Sequence, residues 1–279
     1  MYKSTSSIVK KTIENNSVSE EHINFLKNNN SMKRAVFFSR LLLLIFIFSF
    51  WEIAGRLEWI DPFIMSQPSR IIKTIVSLSK DGSILLHMGV TLYETIIGFV
   101  SGTILGTIIA IILWWSDFLA KVLDPYLVVL NALPKTALGP VILVWIGGTT
   151  KSIIVMALLV SIIVTIISVY TSFSNCDEDK IKLLKTFGAN KHQILGKVVL
   201  PANIPAIISA LKINVGLSLV GVIVGEFLVS KSGLGYLIIY GGQVFKMDLV
   251  MTSVIILAAT AALLYLSVLW IEKKASQMM

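Results

Sequence analysis

Long runs of apolar residues are the feature that most limits what this chain can fold into. An α-helix needs about 20 mostly apolar residues to cross the hydrocarbon core of a bilayer. Six such runs occur, at 35–54, 90–114, 126–145, 153–170, 204–228 and 250–271. Only 14% of the 279 residues are charged, against about 25% in an ordinary soluble domain. The sequence therefore predicts an all-α, polytopic membrane protein with about six transmembrane helices.

The remaining segments divide the chain around these helices. We expect a polar tail over 1–34, a first transmembrane helix over 35–56, an outer connection over 57–87, a core transmembrane domain over 88–272 and a short tail over 273–279. Lys and Arg are more frequent in the segments that share a side with the N-terminus than in the alternate ones. Because cytoplasmic loops carry this excess, both termini are expected in the cytoplasm.

A polar stretch between the fourth and fifth runs, residues 176–201, has the pattern of a helical elbow. Ile181, Leu184 and Phe187 recur every three residues, which predicts an apolar stripe on one face of a short helix. Such a stripe on a basic, solvent-facing segment indicates a docking surface.

Four residues define the ends of the elbow helices. Gly188 is placed to end the first helix in a left-handed conformation, and Asn190 to cap the start of a second. Pro201 and Pro205 are expected to stop that second helix and to restart the chain as the fifth membrane helix.

Several of these stretches occur together in a known transporter family. "FGANKHQILGKVVLPANIPAI" resembles the cytoplasmic EAA loop of permease subunits of bacterial ATP-driven (ABC) importers, with Gly188 at the family's glycine and Pro201 at its closing proline. "LDPYLVVLNALPKTALGPVILVWIG", "GEFLVSKSGLGYLI" and "WEIAGRLEWIDPFIMSQPSRI" resemble segments of the nitrate/sulfonate/taurine branch. The resemblance covers roughly Trp51 to Lys273. The family's Glu-Ala-Ala positions fall on Lys182, Leu183 and Leu184.

The resemblance implies a permease that works within a complex in a bacterial plasma membrane. It implies a permease homodimer, a pair of separate ATPase subunits that bind ATP and Mg²⁺, and an extracellular solute-binding protein. The chain contains no GxxxxGK(S/T) phosphate loop and no cofactor is expected on it. The ATPase-docking residues are then expected to be Leu184, Phe187, Gly188, Ala189, Asn190, His192 and Pro201.

The third apolar run carries a lysine between two prolines. Lys135 lies between Pro134 and Pro140, one helical turn after Asn131. A cation at membrane depth usually faces protein or water because it costs about 3 kcal/mol to insert. These four residues are candidates for the translocation pathway, where Lys135 would favour anions. The alternative is a lysine that extends to the inner surface or pairs with a carboxylate.

Two glutamates within the predicted helices are candidates for structural or gating roles. Glu94 and Glu226 lie at similar depth, and Gly233 and Gly235 form a turn after the second of them. Glycines at four-residue spacing on two helices predict close helix packing; they are Gly98, Gly102 and Gly106, and Gly221 and Gly225.

We therefore predict a transport subunit, not an enzyme, that forms the translocation pathway for a small, anionic solute such as nitrate, a sulfonate or taurine. A thiamine-pyrimidine precursor or a similar heterocycle is the alternative solute. A membrane-embedded enzyme would need clustered His, Asp or Glu, and a secondary transporter would show inverted repeats; the sequence shows neither. No metal site is predicted. A DNA-reading helix-turn-helix over Lys191–Gln193 is disfavoured by the flanking membrane helices, so no nucleic-acid partner is expected.

Overall fold

Helices form almost all of the secondary structure. The computed structural model describes residues 20–276, and this range contains no β-strand. The helices are α1 (Glu20–Arg56), α2 (Pro62–Met65), α3 (Pro68–Lys80), α4 (Ser83–Trp115), α5 (Asp117–Ala132), α6 (Gly139–Ile146), α7 (Thr150–Ser174), α8 (Glu178–Thr186), α9 (Lys191–Ile194), α10 (Leu200–Val229), α11 (Leu234–Gln243) and α12 (Met247–Ser276). Five segments are long and apolar enough to cross a membrane. Two further helices, joined at a sharp bend, would make a sixth span if they cross together. The predicted all-α polytopic fold is confirmed.

The third predicted span is broken rather than continuous. α5 ends at Ala132, and a 3-10 turn over Lys135–Leu138 leads into α6. The two parts meet at an angle of 88°. Leu133 is extended, at φ −63° and ψ 135°, because the residue before a proline is driven out of the helical region. Pro134 thus converts the run into a broken span or a re-entrant loop.

The expectation that Pro201 and Pro205 separate two helices is wrong. One helical segment of 39 residues runs from Lys191 to Val229. A π-helical turn over Leu195–Val199 precedes Pro201, which occupies one of the first two positions of α10. The π-helical turn shifts the hydrogen bonding, so that the N–H of Leu200 donates to the carbonyl oxygen of Leu195, five residues earlier, and Pro201, which has no N–H, follows directly after it.

The chain divides into two compact units. The first comprises residues 1–62 and 67–69, of which residues 1–19 of the predicted polar tail lie outside the described range. α1 begins at Glu20, within that predicted tail. Its membrane-spanning part exposes apolar side chains all round, as a helix surrounded by lipid would. Glu52 pairs with Arg56 at 2.8 Å and accepts a hydrogen bond of 2.9 Å from the backbone N–H of Ser69.

The second unit, residues 63–66 and 70–279, is built around α7. α4 and α10 pack against α7, and the predicted close packing at the glycines is confirmed. A Cβ atom added at Gly221 would lie 2.7 Å from the Cα atom of Ala157, and one added at Gly98 would overlap the Ala157 side chain. The small residues therefore allow backbone-to-backbone approach of three helices.

A buried hydrogen-bond triad links the same three helices. The Nδ2 group of Asn214 on α10 donates to the hydroxyls of Thr103 on α4 (2.7 Å) and Thr165 on α7 (2.6 Å). Those hydroxyls donate in turn to the carbonyl oxygens of Phe99 and Ser161. All three triad side chains are buried, so each donor is committed to a partner within the bundle.

Candidate functional site

The elbow between α7 and α10 forms through local capping. Gly188 has φ +78°, a left-handed conformation that a residue with a Cβ atom rarely adopts, and its N–H donates to the carbonyl of Lys185 at 3.0 Å. Asn190 and Gln193 form a reciprocal capping box, in which each backbone N–H donates to the other side chain at 2.9 Å. The predicted glycine turn and Asn190 cap are confirmed.

An acidic cap begins the first elbow helix. The side chain of Asp177 accepts hydrogen bonds from the N–H groups of Asp179 (3.0 Å) and Lys180 (3.4 Å). The backbone hydrogen bond from Asp179 lowers the pKa of Asp177 below its usual value. The cap therefore stays ionised at neutral pH, where it stabilises α8.

The predicted apolar stripe is wrong in part, because its members do not share one face. Ile181 and Leu184 pack inward, against the cluster that includes Phe173. Phe187 points outward and is 78% exposed, and Leu183, which the stripe omitted, is 57% exposed. The difference arises because α8 has 3.6 residues per turn, so a three-residue repeat drifts around the helix.

The other predicted docking residues lie at the exposed part of the elbow. Ala189 is half-buried. Four are exposed: Gly188, Asn190, His192 and Pro201. Pro201 lies within the continuous helix and not at its end.

The elbow is attached to the end of α4. The Lys191 ammonium donates a hydrogen bond of 2.7 Å to the carbonyl oxygen of Trp115 and lies 5.5 and 5.6 Å from the ring centres of Trp114 and Trp115. The His192 ring is centred 4.5 Å from that of Trp115. A cation at the C-terminus of a helix is favoured by the helix dipole, and its position over indole rings adds a cation–π attraction.

The predicted pathway residues lie at the break between α5 and α6. The Lys135 ammonium donates to the carbonyl oxygen of Asn131 at 2.9 Å and is half-buried. Asn131, Pro134 and Pro140 are exposed. The nearby Val144 and Trp145 of α6 are 83% and 80% exposed. The structure thus places the four predicted residues at or next to the break.

Two acidic residues, 132 positions apart in the sequence, meet inside the bundle. Glu94 on α4 and Glu226 on α10 are 0% and 1% exposed, and their carboxyl groups interact with each other. Glu226 accepts hydrogen bonds from the hydroxyl of Thr91 (2.6 Å) and the N–H of Gly235 (2.5 Å). Neither oxygen of Glu94 accepts a hydrogen bond of regular geometry, and the hydroxyl of Thr150 lies close to its carboxyl group.

The turn before α11 is shaped around Glu226. Gly233 has φ +119°, and a Cβ atom there would overlap the Glu226 carboxyl group. The N–H groups of Gly233 and Leu234 donate to the Nδ1 atom of His87 (2.9 Å) and the hydroxyl of Thr91 (2.8 Å). The sequence indicated each of the two glutamates and the turn, but not that they form one site.

Comparison with known proteins identifies the family. A model of the family described as "Binding-protein-dependent transport system inner membrane component" matches residues 102–277. The chain belongs to this family. The permease is 31% identical over 231 residues to a probable ABC transporter permease protein of Haemophilus influenzae, covering 83% of this chain and 94% of the relative.

The names of two further relatives state the solute that each transports. The permease is 28% identical to the putative aliphatic sulfonates transport permease protein SsuC of Bacillus subtilis, with 87% of this chain and 88% of the relative covered. It is 25% identical to the formylaminopyrimidine transport permease protein ThiX of Halalkalibacterium halodurans, with 75% and 81% covered. The resemblance to permeases of the sulfonate branch is therefore confirmed, and the permease is a multi-pass membrane transport subunit.

A solved structure shares the fold. An inward-facing form of the MetNI methionine ABC transporter matches with a TM-score of 0.60 at 18% identity, covering 67% of this chain and 94% of the matched chain. The likeness therefore shows a shared helical fold over about two thirds of this chain.

Proposed function

We propose that the permease forms the membrane pathway of an ATP-driven importer, and that the elbow is where it meets a separate ATPase. The observation that carries this proposal is the elbow itself. Each of its helices begins at a side-chain cap, its inner face packs onto the bundle, and Leu183 and Phe187 remain on the outside. Exposed apolar side chains on a polar segment outside the membrane helices are suited to a protein partner.

The elbow is also built to transmit movement. The helical segment that begins at Lys191 continues without interruption to Val229. The first residue of this segment, Lys191, is hydrogen-bonded to the last residue of α4. Movement of the elbow by the partner would therefore act on α4 and α10 as rigid bodies, which is how coupling travels between distant sites.

The partners follow from the same proposal. A second permease copy would pair with this one in the membrane, as the resemblance to importer permeases implies. ATP and Mg²⁺ would bind to the paired ATPase subunits, and an extracellular binding protein would deliver the solute. With the elbow in the cytoplasm, both chain termini lie there too, in agreement with the distribution of Lys and Arg.

For the solute, we propose a small anion of the sulfonate class. Lys135 lies at the break in the third span and has no acidic partner among residues 20–276. A cation at such a position attracts anions and repels cations. The second candidate is a small heterocycle, which is favoured by the similarity to the formylaminopyrimidine permease.

Reconstitution tests the proposal. The permease would be co-expressed with a candidate ATPase subunit and a candidate solute-binding protein from the same genome, and the complex placed in liposomes with ATP inside. We expect uptake that requires ATP and the binding protein, with an alkyl sulfonate competing better than a pyrimidine. A complex that hydrolyses ATP but accumulates only the pyrimidine would support the second candidate. Failure of the ATPase to associate with the permease would contradict the coupling role of the elbow.

A further inference from the structure

The buried carboxyl groups of Glu94 and Glu226 have no positively charged side chain paired with them among residues 20–276. The nearest imidazole, that of His87, accepts a hydrogen bond at Nδ1 from Gly233 and so brings no positive charge through that atom. Lys151 and Lys231, which are close in sequence to the site, are exposed. Two negative charges in contact would therefore be isolated from water and from cations.

Such an arrangement is not stable with both groups ionised. An isolated buried carboxylate is strongly disfavoured, and two carboxylates that share a site cannot both hold their charge. The site therefore needs a bound proton or another cation to neutralise one of the two carboxylates. We propose that Glu94 carries a proton and donates a hydrogen bond to the ionised carboxylate of Glu226, so that the pair is a proton-binding site within the membrane.

The hydrogen bonds decide which of the two acids holds the proton. Glu226 receives two donors, the hydroxyl of Thr91 and the N–H of Gly235, and lies at the N-terminus of α11. These groups stabilise a negative charge. Glu94 has the hydroxyl of Thr150 close to its carboxyl group, but neither of its oxygens accepts a hydrogen bond of regular geometry. A proton on Glu94 satisfies both groups at once, because it removes one charge and supplies Glu226 with a third donor.

The proton has a mechanical role. It joins α4 to the turn between α10 and α11, at the end of the bundle opposite the elbow. α4 and α10 are the two helices to which the elbow is attached, so the protonated pair fixes their far ends. This inference goes beyond the transport activity and does not depend on the solute.

Infrared spectroscopy tests the proton directly, because a protonated carboxylic acid has a carbonyl stretch distinct from that of a carboxylate. The full-length permease in lipid nanodiscs would be compared at neutral pH with Glu94→Gln. We expect the wild-type protein to show one acid band that the variant loses. Glu272→Gln is the matched control: Glu272 pairs with Lys212 at 2.8 Å, so this change should remove only a carboxylate signal.

Thermal unfolding of the same samples adds a second measurement. Glu94→Gln keeps an N–H donor toward Glu226 and should therefore retain the wild-type Tm. Glu226→Gln places an amide N–H₂ group opposite the donors that now bind the carboxylate, and this variant should have a lower Tm. Absence of the acid band, its loss only in Glu226→Gln, or unfolding of Glu94→Gln would overturn the proposal. A Tm that rises with Na⁺ or K⁺ in the absence of the band would assign a metal cation instead and would overturn it as well.

Discussion

The Lys191 ammonium donates a hydrogen bond of 2.7 Å to the carbonyl oxygen of Trp115, which is the last residue of α4. This single contact joins the start of the second elbow helix to the end of a membrane helix 76 positions earlier in the sequence. It places a cation where three favourable effects coincide: an unpaired helix carbonyl, the negative end of the helix dipole and two indole rings.

Replacement of Lys191 by Met should loosen this attachment. At an exposed site the cation–π and dipole contributions together amount to about 1 kcal/mol. We expect normal membrane insertion, ATPase activity that remains but responds less to the solute-loaded binding protein, and a several-fold lower uptake rate. Lys197→Met is the matched control, because Lys197 lies on the same elbow and is exposed. Equal coupling in both variants would contradict a role for the Lys191 contact.

Local signals predicted the elbow well. Gly188, Asn190 and the acidic start of α8 each act through neighbours within four residues, so their sequence spacing determines their geometry. The direction of Leu183 and Leu184 could not be predicted as reliably, because on a helix of nine residues it depends on which face the bundle covers. Two of the three predicted members, Ile181 and Leu184, therefore face the bundle, and Phe187 alone faces outward.

Contacts between residues far apart in the sequence could not be predicted from the sequence. Asn214 meets Thr103 and Thr165 across three helices, and Glu94 meets Glu226 across two. No periodicity relates such residues, since their meeting depends on the rotation of each helix about its axis. The glycine spacing did predict that these helices approach closely, but not which polar side chains would meet there.

Replacement of Gly188 by Ala tests the elbow turn. A Cβ atom at this position meets no neighbour within 4 Å, so the penalty is conformational and arises from φ +78°. It amounts to about 1–2 kcal/mol. We expect the variant to insert into the membrane normally but to couple ATP hydrolysis poorly to uptake.

The control for this change is Gly196→Ala, in the π-helical turn of the same elbow. A Cβ atom there also meets nothing within 4 Å, and φ is not positive. It should therefore leave both activities unchanged. Normal uptake together with normal stimulation of the ATPase in Gly188→Ala would refute the predicted role of the turn.

Replacement of Gly221 by Ala should destabilise the bundle. The new Cβ atom would lie 2.7 Å from the Cα and 3.0 Å from the backbone N of Ala157, and neither atom can move without shifting α7. Overpacking of this kind costs about 1–3 kcal/mol. Gly216→Ala, on the same helix, meets nothing within 4 Å and serves as the control. Thermal unfolding in detergent should show a lower Tm for Gly221→Ala alone, and equal Tm values would contradict the packing argument.

Replacement of Lys135 by Met tests the proposed preference for anions. The change removes the positive charge at the break of the third span but keeps a long, flexible side chain. If the charge draws an anion into the pathway, uptake of an alkyl sulfonate should fall by about tenfold, which corresponds to about 1.4 kcal/mol, without a change in basal ATP hydrolysis. Lys151→Met is the control, since Lys151 is an exposed lysine at the start of α7. Unchanged sulfonate uptake in Lys135→Met would remove the pathway role from Lys135, and a parallel loss in Lys151→Met would show that the surface charge as a whole, rather than this position, attracts the solute.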